Sequence, residues 1–221
     1  MQGHARKCVD KYCELADVNP DSLKQVTTPN IDDNQLLPHE FEEKGKLSSV
    51  AARIVLTVLY LARFARPDVL WTVNSLARMV TKWSVACDKR LHRLICYIHH
   101  SISFKQIAYL GDSADKIKLA LFVDASFAGD INDSKSTGGA FLILVGPNTF
   151  VPISWICKKQ GQISHSSTEA EVISLDAGLR LEGIPAVSLW DDIIEMFCPE
   201  AEKVERMDKV PDLSTMEGVL L

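Results

Sequence analysis

The spacing of apolar residues changes once along this chain, and this change limits the folds that the chain can adopt. Between Leu47 and His100, apolar side chains recur at every third or fourth position, which is the spacing of one face of an α-helix. Between Ile117 and Val123 they recur at every second position, which is the spacing of one face of a β-strand. Because helices precede strands, we predict an α+β (mixed α/β) fold.

The helical part is predicted to contain three helices joined by short loops. The first begins near residue 47, where Ser48 or Ser49 can cap it. Arg66-Pro67 ends it, because a proline disfavours helical geometry in the residue before it. Asp68 is then placed to cap a second helix, and a third is predicted from about Ser84 to His100.

Three or four strands are predicted to follow in hairpin succession. The first is the alternating segment 117–123, and the second is the run AFLILV after Gly138-Gly139. FVPISWICKK forms the third, with Pro152 near its start, a position typical of an edge or a strand entry. The segment QIAYLGD can add a short fourth strand.

Two helices are predicted after the strands. The first is entered through SHSSTEAE, where Ser166 or Thr168 supplies the cap, and Val172, Leu175 and Leu179 form its apolar face. The segment AVSLWDDIIEMF forms the second. At the other end of the chain, residues 1–46 are polar and interrupted by prolines, so we predict an extended connector that is weakly helical only at its start.

Composition limits the class of protein. Apolar residues make up 47% and charged residues 24%, as in ordinary globular proteins. No stretch reaches the ~18 apolar residues that a membrane span needs, and the N-terminal residues lack the apolar core of a secretory signal. We therefore expect an intracellular protein, in the cytoplasm or the nucleus, without a membrane partner.

The charge distribution bears on nucleic-acid binding. The net charge of −5 counts against a dedicated nucleic-acid binder, which is usually basic. The third helix is locally basic, and Lys89, Arg90 and Arg93 are predicted on its outer side, where they could contact phosphates. A merely solvated helix face is the alternative.

The cysteines point to reduced, structural thiols. All six are scattered, without a CxxC pair or a regular framework. His4, Cys8 and Cys13 have the ligand types of a zinc site, but their spacing matches no standard finger and a fourth ligand is missing. We therefore predict packing or surface roles for these three residues.

Two carboxylates could share a divalent metal ion. Asp124 ends an apolar strand, where desolvation is costly unless a cation offsets it. Glu171 lies on the first turns of the helix entered through SSTEAE, and carboxylates from separate elements suit Mg²⁺. In the alternative, Asp124 starts a turn, while Glu169 and Glu171 take capping-box positions after Ser166 and Thr168.

Four landmarks in the C-terminal half occur in a set order. They are FVDAS, GDINDSKSTGG, ISWICKKQ and SSTEAE. In this order and spacing they resemble the ribonuclease H domain of copia-type retrotransposons. Upstream, LYLARFARPDVLWTVNSLARMVT and DKRLHRLICYIHH resemble the helical region that follows the polymerase palm in the same Pol polyproteins.

The resemblance implies domain boundaries, an activity and partners. Residues 1–46 would be the connector, 47–103 a thumb- or connection-like three-helix region, 104–198 a truncated ribonuclease H-like sheet with flanking helices, and 199–221 a disordered tail. The activity is hydrolysis of RNA in an RNA–DNA hybrid by two Mg²⁺ (or Mn²⁺) ions ~3.5–4 Å apart. The implied partners are such a hybrid or other nucleic acid, gripped by Lys89, Arg90 and Arg93, and the remainder of the Pol polyprotein.

The resemblance also assigns roles to single residues. Asp124 takes the place of the first catalytic aspartate and Glu171 that of the catalytic glutamate, with Glu169 as the fallback, and all three are candidate metal ligands. The family has a third aspartate on a later strand, whereas Asp208 and Asp212 here follow no apolar strand. We therefore predict an incomplete active site with little or no turnover, and no polymerase activity because the palm is absent.

Three hypotheses follow from the sequence. The chain is an enzyme fragment of ribonuclease H lineage, a non-catalytic remnant that binds nucleic acid, or an inert fragment whose unfinished sheet exposes an edge. Metal-dependent cleavage distinguishes the first, and salt-dependent binding without a metal requirement distinguishes the second.

Overall fold

The computed structural model describes residues 1–113, 116–129 and 134–197 and confirms the α+β class. The described residues up to Gly183 form one compact unit, and residues 184–197 belong to a second unit. The helices are α1 (Gln2–Ala16), α2 (Pro38–Glu42), α3 (Ala51–Phe64), α4 (Leu70–Arg78), α5 (Val85–His100), α6 (Ser167–Gly178) and, in the second unit, α7 (Ile184–Phe197). The strands are β1 (Tyr109–Leu110), β2 (Lys118–Ser126), β3 (Thr137–Gly146) and β4 (Thr149–Lys159).

The three predicted helices of the helical part are α3, α4 and α5, but their predicted caps are wrong. Neither Ser48 nor Ser49 caps α3, which begins at Ala51 without a side-chain cap. The carboxylate of Asp88 instead accepts hydrogen bonds from the backbone N–H groups of Lys46 (2.6 Å) and Leu47 (3.2 Å). Asp68 binds Arg66 and makes no cap, because the buried guanidinium competes for its carboxylate.

The weakly helical N-terminus is a full helix of the core. In α1, the side chains of Ala5, Cys8, Val9 and Tyr12 follow helical spacing and are buried against α3 and α5. Cys8 is buried and donates a hydrogen bond to the carbonyl of Thr57, so this cysteine helps to pack α1 against α3. The five cysteines in the described part of the chain are free thiols, and burial raises the pKa of the Cys8 thiol to about 12. Cys198 lies outside the described residues.

The predicted strands form one antiparallel sheet. Its order is β1-β4-β3-β2, so β2–β3 and β3–β4 are sequential hairpins and β1 adds to β4. The sheet is attached to the helical part through β4: the indole N–H of Trp155 donates to the carbonyl of Ala62 at 2.9 Å, and Asn74 donates to the carbonyl of Cys157 at 2.9 Å. Trp71, in contrast, is 45% exposed.

The packed face of α6 is not the predicted one. Val172, Leu175 and Leu179 are all exposed, and the face against the sheet carries Ala170, Ser174 and Gly178. Small residues occupy this face because the helix lies very close to β2 and β3, where larger side chains would overlap the strands. Among the described residues, no helix combines the length and apolar composition that crossing a bilayer would require.

Candidate carboxylate site and nucleic-acid interface

Asp124 lies near the end of β2 and is exposed. Asp124 pairs with Gly139 of β3, and successive residues of β2 alternate between the two faces of the sheet. Val123 and Leu121 face α6, since both contact the position where a Cβ at Gly178 would stand. The Asp124 carboxylate therefore projects from the opposite face of β2.

Glu169 and Glu171 have different environments at the start of α6. Ser166 caps the helix by accepting a hydrogen bond from the Glu169 N–H at 3.1 Å, and the Glu169 carboxylate accepts the N–H of His165 at 2.6 Å. Glu169 thus serves the helix start, as one of the sequence alternatives predicted. Glu171 is exposed; it follows Ala170 and precedes Ser174 by three residues, and both of these neighbours are buried.

One hydrogen bond brings α6 to Asp124. Ser174 donates its hydroxyl to the main-chain carbonyl of Asp124 at 2.8 Å, so Glu171, three residues earlier on the helix, lies about one turn from that strand position. Glu171 therefore lies on the helix that covers one face of β2, whereas the Asp124 carboxylate projects from the other face. Within the described ranges, no group of three or more potential ligands could hold a metal ion, and Asp208 and Asp212 lie outside those ranges. The described residues do not complete a metal site.

Replacing Gly178 with valine is expected to separate α6 from the sheet. A Cβ there would lie 3.1 Å from Val123 Cγ2 and 3.3 Å from Ala140 Cβ, so branched carbons beyond it must overlap the strands. We expect a loss of about 1–3 kcal/mol in the free energy of unfolding, measured by urea denaturation. Gly161→Val is the matched control, because a Cβ at Gly161 meets nothing within 4 Å. Equal losses in the two variants would contradict the packing of α6.

The three predicted phosphate-binding cations all have partners within the chain. Lys89 forms an ion pair with Glu40, and Arg90 forms one with Asp33. Arg93 donates to the carbonyl oxygen of Thr28 at 3.0 Å and to its hydroxyl at 2.9 Å. The basic side of α5 is thus covered by residues that the sequence analysis placed in an extended connector.

These partners belong to one continuous segment, residues 23–44, which we call the strap. The strap runs antiparallel to α5. At one end, the carbonyl of Leu23 is 2.8 Å from the His100 ring, and at the other end the carbonyl of Glu43 accepts the N–H of Val85 at 2.9 Å. Sequence reasoning missed the strap. The available signal was the acidic segment IDDNQ, bounded by Pro29 and Pro38, in a chain whose third helix is locally basic.

A second feature without a sequence signal lies beside the strap. The hydroxyl of Tyr12 on α1 is 2.8 Å from Nδ1 of His92 on α5, and Nε2 of His92 is 3.5 Å from the Cys96 sulfur. Burial lowers the pKa of His92 and raises the pKa of the Cys96 thiol, which favours the neutral forms of both. These groups therefore form a neutral polar contact between α1 and α5.

The comparisons with known proteins place the chain among retroelement proteins. The Pol polyprotein from transposon RE1 of Arabidopsis thaliana is 32% identical over 165 residues, and that from transposon RE2 of the same plant is 32% identical over 172 residues. Each match covers 73% of this chain and 10% of the relative, so the chain spans about a tenth of the length of these two polyproteins.

A shorter relative carries the same kind of segment. The secreted RxLR effector protein 161 of Plasmopara viticola is 30% identical over 129 residues, which are 58% of this chain and 82% of that protein. No family model matches the chain, and no solved structure matches it.

These relatives identify the chain as a segment of a retrotransposon Pol polyprotein. The chain belongs to the family of copia-type retrotransposon Pol polyproteins, of which it represents one part.

Proposed function

We propose that residues 104–197 derive from a ribonuclease H domain and that the chain binds RNA–DNA hybrids. The observation that carries this proposal is the hydrogen bond from Ser174 to the main-chain carbonyl of Asp124, which joins the helix that carries Glu171 to the strand that carries Asp124. The kinship with copia-type Pol polyproteins and the four sequence landmarks support the same origin.

In this proposal, Asp124 and Glu171 are the inherited metal ligands, and Mg²⁺ or Mn²⁺ would supply charge stabilisation and an activated water to phosphodiester hydrolysis. Glu169 is the fallback ligand, although its carboxylate is already hydrogen-bonded to the His165 N–H. Asp124 and Glu171 alone supply fewer ligands than a two-ion site requires. We therefore propose little or no turnover by this chain alone.

The second candidate is a non-catalytic nucleic-acid-binding remnant. It is favoured by the clustering of Lys89, Arg90 and Arg93 on one helix, together with the absence of a complete metal site among the described residues. Its binding would depend on salt, would not depend on base sequence and would not require a metal ion.

Fusion of this chain to the following segment of the transposon RE1 Pol polyprotein tests the ribonuclease H origin. If the missing ligands are restored, we expect Mg²⁺-dependent cleavage of RNA in a hybrid. Asp124→Asn and Glu171→Gln should each reduce cleavage to background, because each removes a metal ligand. Asp176→Asn, on the same helix and ion-paired with Arg180, is the matched control and should retain activity.

The same assay separates the two candidates. Cleavage that survives both Asp124→Asn and Glu171→Gln would contradict the assigned ligands. Absence of cleavage together with salt-dependent hybrid binding by the chain alone would favour the non-catalytic candidate. Absence of both would contradict a nucleic-acid function.

A further inference from the structure

The strap covers the side of α5 that would contact phosphates, and it does so with groups that resemble phosphate in charge or in hydrogen bonding. Two of its three contacts are carboxylates, Glu40 on Lys89 and Asp33 on Arg90. The third is the carbonyl and hydroxyl of Thr28, which accept from Arg93. Each group is an acceptor of the kind that a nucleic-acid backbone offers to lysine and arginine.

The contacts hide the cations to different degrees. The Arg90 side chain is only 15% exposed, and its guanidinium also lies 5.5 Å from the Phe41 ring of the strap. Lys89 keeps 46% of its side chain exposed, whereas its partner Glu40 keeps 7%. The Lys89 ammonium and the N–H of Leu37 hold the pKa of the Glu40 carboxyl below its ordinary value. The strap therefore leaves little of the Arg90 side chain accessible to a nucleic acid.

The strap is attached at its ends and packs loosely in its middle. Leu23 and Leu36 are buried, and Lys44 forms an isolated β-bridge with Ser84. Between Leu23 and Leu36, an open pocket of about 500 Å³ is lined by residues of the strap, including Val26 and Ile31, and by residues of α1 and α5. Residues 24–31 are exposed or only partly buried, so less apolar burial is lost when this part lifts than at Leu23 or Leu36.

We propose that the strap is an internal competitor for nucleic acid, and that a phosphate backbone binds α5 only by displacing residues 28–40 from Lys89, Arg90 and Arg93. This inference rests on the nucleic-acid role proposed above. It accounts for a basic helix in a chain of net charge −5: the chain neutralises the helix itself until a polyanion replaces the strap.

The test uses the full chain with charge-neutral strap variants and a 20-base-pair RNA–DNA hybrid. Asp33→Asn with Glu40→Gln removes both strap carboxylates. Glu42→Gln with Glu43→Gln is the matched control, because it removes the same charge from exposed neighbouring residues outside the three contacts. Fluorescence anisotropy measures affinity across salt concentrations, and thermal melting by circular dichroism checks folding.

We expect the Asp33/Glu40 variant to bind more tightly than the wild type and the control. In a plot of the logarithm of the binding constant against the logarithm of the salt concentration, the slope for this variant should be steeper by about 2. Two further cations become available, and each phosphate contact contributes ~0.9 to the slope. Hydrogen exchange of residues 23–44 should rise when the hybrid binds the wild type, and should already be raised in the free variant. Thr28→Val, which removes one hydroxyl and no charge, gives a smaller effect in the same direction and serves if the double variant fails to fold.

The possible failures are distinguishable. If wild type, variant and control bind the hybrid equally, or if strap exchange does not change on binding, the strap is purely structural and the proposal is overturned while the nucleic-acid role stands. If none of them binds at low salt, the nucleic-acid role itself is overturned, and the competition with it.

Discussion

Replacing Leu61 with alanine is expected to lower the free energy of unfolding by about 2–5 kcal/mol. Leu61 is 1% exposed on α3, inside the core that α1, α3, α4 and α5 share. The substitution removes buried apolar surface and leaves a cavity that the surrounding helices fill only in part. Urea denaturation followed by circular dichroism measures the loss.

Leu56→Ala is the control for this prediction. Leu56 lies on the same helix but is 59% exposed, so the same chemical change removes little buried surface. We expect a loss within about 0.5 kcal/mol, as for most surface positions. A similar loss in both variants would mean that α3 does not bury the face that the structure assigns to it.

Replacing Arg66 with alanine is expected to cost about 2–4 kcal/mol. Arg66 is 5% exposed; it binds the Asp68 carboxylate at 2.7 Å and donates to the hydroxyl (2.7 Å) and carbonyl (3.0 Å) of Ser101 at the end of α5. Its loss leaves the buried Ser101 groups without a donor. The cost is below that of a fully buried pair, because the Asp68 side chain is 35% exposed and can be solvated.

Arg63→Ala separates this network from the general effect of losing an arginine. Arg63 is exposed on α3, one turn before Arg66, so its substitution should change stability by less than about 0.5 kcal/mol. A double variant, Arg66→Ala with Asp68→Ala, should lose less than the sum of the single losses, since the two side chains act as a pair. Strict additivity would contradict the coupling.

The positions of α3 to α7 and of the strands could be predicted because each depends on local spacing, whereas α1 and α2 lie in the segment predicted to be an extended connector. The stripe Ile54, Val58 and Leu61 identifies a helix wherever that helix packs, and the alternation in 117–123 identifies a strand. The four landmarks also located Asp124 and Glu171 on a strand and a helix, where the structure has them. The relative placement of the two carboxylates could not be predicted in this way. It depends on which face of the strand the neighbouring helix covers.

The burial of α6 shows what local spacing leaves open. Its apolar residues Val172, Leu175 and Leu179 predicted one face, yet Ala170, Ser174 and Gly178 meet the sheet. Hydrophobicity alone favours the first face. Close approach to β2 and β3 favours the second, because small residues let the backbones come together.

The amino-acid sequence alone specifies most helices and strands, the order in which they occur and the kinship with retroelement polyproteins. All three are encoded in short-range spacing and in motifs. The pairing of the strap with α5 joins residues 57 and 65 positions apart, and local patterns carry no information about such distant partners. Only the tertiary structure therefore determines whether Arg90 and Arg93 face solvent or acceptors within the chain. The reason is that electrostatic attraction depends on the distance between charges in space and not on their separation in sequence.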